Sequence, residues 1–206
     1  MRLQHIAVAG AVLAFAFSAH AATSAGADGD PYTLSTCPVL GQELGSMGDT
    51  VVAEYDGREV RFCCGACVAV FEEDQDTYWA EIDEAIIEQQ MAYYPLEVCL
   101  NSGEPLDSAG EPVDHVYRNR LVRFCSEGCQ SAFEENTSEM LAQLDEAVVE
   151  AQLPDYELET CPVMDVDLGS MGGAVDYVVA NQLVRLCCAG CPSSVHRNPL
   201  EYIDTE

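Results

Sequence analysis

The chain has 206 residues, 49% of them apolar and 8% aromatic, which is enough to bury one core or several small ones. Thirty-six acids face eight arginines and no lysine, a formal charge of −28, and so negative a surface repels nucleic acid and anionic lipid. The acids read as a solvated surface with a diffuse attraction for cations, whereas the eleven cysteines, an odd number, cannot all pair within one molecule.

In chain order, residues 1–21 read as an export signal. Arg2 precedes the apolar run Ile6–Phe17, and Ala19-His20-Ala21 then offers a signal-peptidase site after Ala21. That run is too short for a membrane span, no later stretch reaches the 18 or so apolar residues of one, and no cysteine follows to carry a lipoprotein anchor. The expected location is therefore periplasmic or extracellular, with no membrane insertion of the mature protein. Residues 22–31 read as a linker.

From Tyr32 the chain repeats itself at an offset of 62 residues without a gap, Tyr32 falling on Tyr94 and Tyr156. The units are 32–93, 94–155 and 156–206. Each starts with an extended segment that ends at a cysteine, and a loop such as "LGSMG" follows. A hairpin comes next, clearest in "VVAEYDGREVRFC", where Asp56-Gly57 is the turn signal. "VAVFEEDQDTYWAEIDEAIIEQQ" and "QSAFEENTSEMLAQLDEAVVEAQ" then follow a 3.6-residue period, with breaks expected at Asp74 and Asn136. The third unit stops at Glu206, short of most of its second helix. The pattern is α+β, and a unit of this size needs a metal or disulfides to supplement its core.

The cysteines recur as Cys-x25-Cys-x3-Cys: Cys37, Cys63 and Cys67; Cys99, Cys125 and Cys129; Cys161, Cys187 and Cys191. The outer units add Cys64 and Cys188, and the middle unit has Ser126 instead. A strand-end cysteine followed by a pair at a helix start can direct several thiols inward, and the positive end of the helix favours thiolate there. Arg61, Arg123 and Arg185, two residues upstream, either support the thiolates or pair with acids across the hairpin. Met47 and Met171 accompany the extra thiols and are replaced by Ala109 in the middle unit. Thioether and thiolate together suit copper(I), four thiolates suit zinc, and a methionine that merely packs beneath its loop is the plainer reading. His115, on the first strand of the middle hairpin, is a candidate fourth ligand there, and His196 invites the same question.

"CPVLGQELGSMG", "GREVRFCCGACVAVFEED" and "CCAGCPSSVHRNPLEYI" resemble the TRASH and YHS family of small heavy-metal-binding modules. The resemblance covers nearly all of residues 32–206. It implies three tandem treble-clef-like zinc-ribbon or finger units, with the Cys-x25-Cys-x3-Cys residues as ligands and up to one zinc or copper(I) per repeat. The middle unit departs from the pattern, with Leu100-Asn101 in place of Pro-Val, which makes its site the degenerate one.

Three functional readings remain open at this point. An exported metal-binding protein for storage, trafficking or resistance accommodates three thiols as well as four, with the metal ion and another envelope protein as partners. A disulfide-stapled structural or interaction module leaves the middle unit with an odd thiol. A thiol-disulfide oxidoreductase would use Cys64 and Cys67, but the chain shows no thioredoxin-like context. It also contains no Gly-x-Ser-x-Gly, phosphate-binding glycine loop or His-Glu-x-x-His, so no enzyme is expected.

Overall fold

The computed structural model describes residues 23–24 and 29–205. The expected signal segment 1–21 and half of the expected linker 22–31 lie outside the described residues.

The expected hairpin forms in every repeat. Strands β2 (Val51–Tyr55) and β3 (Arg58–Phe62) pair antiparallel, as do β4 (Val113–Tyr117) with β5 (Arg120–Phe124) and β6 (Val175–Val179) with β7 (Gln182–Leu186). Each closes through two residues with positive φ: Asp56 and Gly57 at 52° and 76°, Arg118 and Asn119 at 46° and 69°, Ala180 and Asn181 at 51° and 59°. This is the tight turn whose twist matches that of the strands. Only Asp56-Gly57 announces it in the sequence. Arg118 and Ala180 occupy a left-handed conformation that costs a side-chain-bearing residue about 1 kcal/mol, and the asparagine amides beside them supply the offsetting contacts.

Helix α1 (Gly65–Glu73) stops at Asp74, whose carboxylate accepts the Thr77 amide at 3.5 Å and starts α2 (Gln75–Met91). In the second repeat α3 (Glu127–Gln152) runs through, but Asn136 at φ −132°, ψ 28° kinks it at the expected place. The third repeat has only α4 (Pro192–Arg197), then the same break at Asn198 and a 3-10 turn, Pro199–Glu201. Where the first repeat carries Tyr78 and Trp79, this one carries Tyr202 and Ile203, which close its core in place of a second helix. Each repeat thus buries its own cluster: Phe62, Phe71, Ile82 and Ile86; Phe124, Phe133, Met140 and Leu144; Leu186, Val195 and Ile203. The architecture is mixed α+β.

The repeats are joined by polar contacts that themselves recur at the 62-residue offset. Arg58 Nε donates to Asn119 Oδ1 at 2.8 Å, and Arg120 Nε to Asn181 Oδ1 at 2.9 Å. The same two amides donate back to the carbonyls of Glu59 (2.8 Å) and Leu121 (3.0 Å). Gln90, at the end of α2, takes the Leu121 amide and donates to the Asn119 carbonyl, while Gln152 does the same to Leu183 and Asn181. Each long helix therefore ends by clasping the hairpin of the next repeat. In the third repeat Gln182, at the position of Arg58 and Arg120, clasps the backbone of Asp204. The third repeat also returns to the first, the His196 carbonyl accepting from Arg61 Nη2 at 3.1 Å.

The segment read as a linker enters this junction. Thr23 and Ser24 form a short parallel strand, β1, on β6, and Asp30 is buried with its Oδ2 taking the Ala180 amide at 2.7 Å. No helix among the described residues is long and apolar enough to cross a membrane.

Candidate metal centres

Each centre is assembled from two pieces of one repeat. The early cysteine lies in a narrow loop closed by backbone bonds: the Cys37 amide donates to the Gln42 carbonyl and the Gly41 amide returns to the Cys37 carbonyl, both at 2.8 Å. The same pair closes the loops at Cys99 and Cys161. The later cysteines follow the second hairpin strand, one at its end and one just inside the helix that follows or, in the third repeat, at its threshold.

Folding brings Cys37, Cys63 and Cys67 together, and likewise Cys99 with Cys125 and Cys129, and Cys161 with Cys187 and Cys191. Within each triad the three sulfurs lie within 4.8 Å of one another. The separations Cys63–Cys67, Cys125–Cys129, Cys187–Cys191 and Cys161–Cys191 are 3.8, 3.7, 3.7 and 3.8 Å. Four thiolates at about 2.3 Å from a tetrahedral ion are separated by about 3.8 Å, whereas a disulfide brings its sulfurs to about 2.05 Å. All eleven cysteines are free thiols. Eight of the nine triad cysteines are buried and Cys129 is half-buried, so the donor set is soft, converging and shielded, which fits a thiophilic ion.

The electrostatics are those of a site awaiting a cation. Burial pushes the Cys37 thiol up, but the amides of Cys63, Leu40 and Val39 directed at its sulfur hold it below its usual range. Cys161 is lowered in the same way, against burial, by Cys187, Val163 and Met164. At Cys99, burial is outweighed by the Ser102 hydroxyl and the amides of Cys125, Ser102 and Asn101, which bring it down to about 6. Burial and neighbouring sulfurs raise Cys63, Cys67, Cys187 and Cys191. One thiol is thus shifted towards thiolate in each triad, and in the outer two burial and the neighbouring sulfurs oppose further charges side by side unless a cation neutralises them.

The two additional thiols stand beside the triads rather than within them. Cys64 Sγ is 3.3 Å from Cys67 Sγ and Cys188 Sγ is 3.5 Å from Cys191 Sγ, yet neither joins the set of mutually close sulfurs. Both are half-buried. In the middle repeat Ser102 Oγ is 3.5 Å from Cys125 Sγ, a neighbour not singled out in the sequence. Its signal was its place three residues after the early cysteine, where the outer repeats have Leu40 and Met164.

Other sequence-level candidates fall elsewhere. Met47 and Met171 are each 58% exposed, which overturns the reading that they pack beneath their loops: Leu44 and Leu168 are the loop residues that turn onto the cores. His115 packs tilted against Phe124 and edge-on to Phe133, with Nδ1 3.1 Å from Gln130 Nε2, outside the triad. His196 Nε2 faces Glu59 Oε2 at 3.7 Å across the contact between the third and first repeats. Arg123 and Arg185 pair across their hairpins with Asp114 and Asp176 at 2.6 and 2.7 Å, and Arg61 pairs with Glu59 at 2.7 Å. Acid pairing across the hairpin is the role realised by Arg123 and Arg185, whereas Arg61 pairs with an acid of its own strand. Comparison of the chain with protein-family models, with curated proteins and with solved structures returned no match.

Proposed function

We propose that this chain is an exported heavy-metal-binding protein that holds one thiophilic ion, zinc or copper(I), in each of three thiolate sites, and that it serves metal storage, trafficking or resistance in the cell envelope. The observation that carries this reading is the threefold convergence of buried sulfurs at the edge length of a metal–thiolate tetrahedron. The hairpin-to-helix placement of the later cysteines supports treble-clef-like units related to the TRASH and YHS modules. Export rests on the segment 1–21 ahead of the repeats. The role assigned is binding, not catalysis: the titratable groups with shifted thiols are those converging on the metal positions, and the paired acids Glu72-Glu73 and Glu134-Glu135 are solvated on helix faces.

Elemental analysis and a thiol count on the natively exported protein test the reading together. Close to three ions per chain, with thiols that react only after chelation, is the expected result. Metal-free protein with nearly all its thiols oxidised overturns it in favour of the disulfide-stapled module.

A further inference from the structure

The three centres share a frame but differ at one corner, and the difference is consistent within each copy. At one equivalent position, which immediately precedes the helix in the first two repeats, the outer repeats carry Cys64 and Cys188, whereas the middle repeat carries Ser126. Ser126 Oγ accepts the Cys129 amide at 3.4 Å and so caps α3. Cys64, at the same position of α1, makes no side-chain cap. Exchanging a serine cap for a residue that does not cap loses about 1 kcal/mol of helix stability, so the Cys64 thiol is not accounted for by folding; in the third repeat the helix starts later, with Cys191 at its N-cap, so Cys188 does not stand at a capping position at all.

Nor is it accounted for as part of the closed ligand set. The triads converge without it, and Cys64 and Cys188 lie at their edge, each within 3.5 Å of one ligand sulfur and half-open to solvent. Ligand exchange at a d10 ion passes through an intermediate in which an incoming thiolate coordinates before an outgoing one leaves. A thiol held at the rim, next to one ligand sulfur and in reach of solvent, is placed for that relay. The middle centre offers hydroxyls instead, Ser126 at the corresponding position and engaged in its cap, and Ser102 from the early loop against Cys125, and hydroxyl is a poor ligand for a soft ion.

We propose that the outer two centres are exchange ports in which Cys64 and Cys188 relay the ion between the buried triad and an external thiolate acceptor, and that the middle centre retains its ion. This rests on the metal-binding reading above. The step is ligand substitution: a metal–sulfur bond forms to the rim thiolate as one to a triad sulfur breaks, with one proton released and one taken up and no change in oxidation state.

The test loads the mature full-length chain with cadmium(II), counts the ions by native mass spectrometry, assigns them by 113Cd resonances, and follows their transfer to excess dithiol chelator. A chain that binds no cadmium overturns the metal-binding reading itself. A loaded chain is expected to release two ions fast and one slowly. Cys64→Ser with Cys188→Ser places a capping residue ahead of α1 and a hydroxyl of similar size in the third repeat, and should leave the stoichiometry at three while slowing the fast phase at least tenfold. Ser126→Cys should move the middle ion into the fast phase, which keeps the test decisive even if the double variant folds poorly. Release at one uniform rate, or a fast phase that accelerates in the double variant, overturns the relay; the second outcome makes Cys64 and Cys188 ordinary fourth ligands.

Discussion

At the residue scale the chemistry is concentrated in groups whose neighbours set their charge. Each triad sulfur is one of three donors, so removing one leaves a pair that cannot enclose an ion. Cys125→Ser is expected to lower the metal content from three ions per chain to two by elemental analysis, with the other two centres intact, because no sulfur is shared between triads and the middle repeat has no rim thiol to take its place. Asp30 is a different case. Burial raises it from the ordinary 3.8 to about 6, against the pull of the Arg120 charge and the Ala180 amide. A raised carboxyl means the folded chain holds more protons than the unfolded chain between about pH 4 and pH 6. Stability therefore falls as pH rises through that window, and the full cost applies above it. The gap between about 6 and 3.8, at 1.36 kcal/mol for each pH unit, is about 3 kcal/mol. Asp30→Asn can still accept the Ala180 amide, so it is expected to be more stable than the parent in urea at pH 7.5, with the difference falling to about a third by pH 4.5 and towards zero by about pH 3. A difference that does not change with pH would show that burial does not raise the Asp30 carboxyl.

At the scale of elements, the same ion pair occurs in two surroundings. Arg58 meets Asp83 at 2.6 Å with the acid side chain 39% exposed, while Arg120 meets Asp145 at 2.6 Å with the two side chains 4% and 2% exposed. Water can solvate Asp83 if its partner is removed, but it cannot reach Asp145. Arg120→Ala is accordingly expected to cost about 3–5 kcal/mol, and Arg58→Ala markedly less, in denaturant unfolding of the metal-loaded protein. Arg120 also donates to Asn181, so its loss weakens the join between β5 and the third hairpin as well. The helix break belongs to this scale too. Asp74, Asn136 and Asn198 are short polar residues that let the chain leave helical geometry at one place in every repeat. Together with the hairpin's period-2 pattern, that break was legible in the sequence. The turn at Ala180-Asn181 was not, because a left-handed alanine is tolerated only through contacts its own segment does not contain: the Ala180 amide on Asp30 and the Asn181 side chain on Arg120 and Leu121.

At the scale of the whole molecule, three units that look independent in the sequence form a cycle. The first clasps the second and the second the third through Gln90, Gln152, Asn119 and Asn181, and the third returns to the first through Arg61 and His196. Interfaces built from buried, paired polar groups couple the units, since separating them would strand those groups. The metal-loaded chain is expected to unfold in urea in one transition, with metal release and loss of secondary structure coincident. Asn119→Ala combined with Asn181→Ala should split that transition into at least two. A single transition in the double variant would place the coupling in the apolar contacts of Val148 with Val178 and Leu183 instead.

The sequence by itself determined the repeat, the Cys-x25-Cys-x3-Cys frame, the hairpin and the broken helix. All of these are local or periodic, and an ungapped offset exposes them by comparison within one chain. The partners that recur at the same offset, such as Arg58 with Arg120 and Gln90 with Gln152, were visible as letters, but their meaning depends on which repeat each one faces. Only the tertiary structure decided that Asp30 is an interior residue, that Met47 and Met171 remain at the surface, and that Cys64 and Cys188 stand at the edge of the triads rather than within them. Spacing limits which sulfurs can meet, because it sets how far the chain can reach. Which of two adjacent cysteines points into the centre is set by the pleat of the strand and the start of the helix, and the core around Phe62 and Phe71 holds both in place.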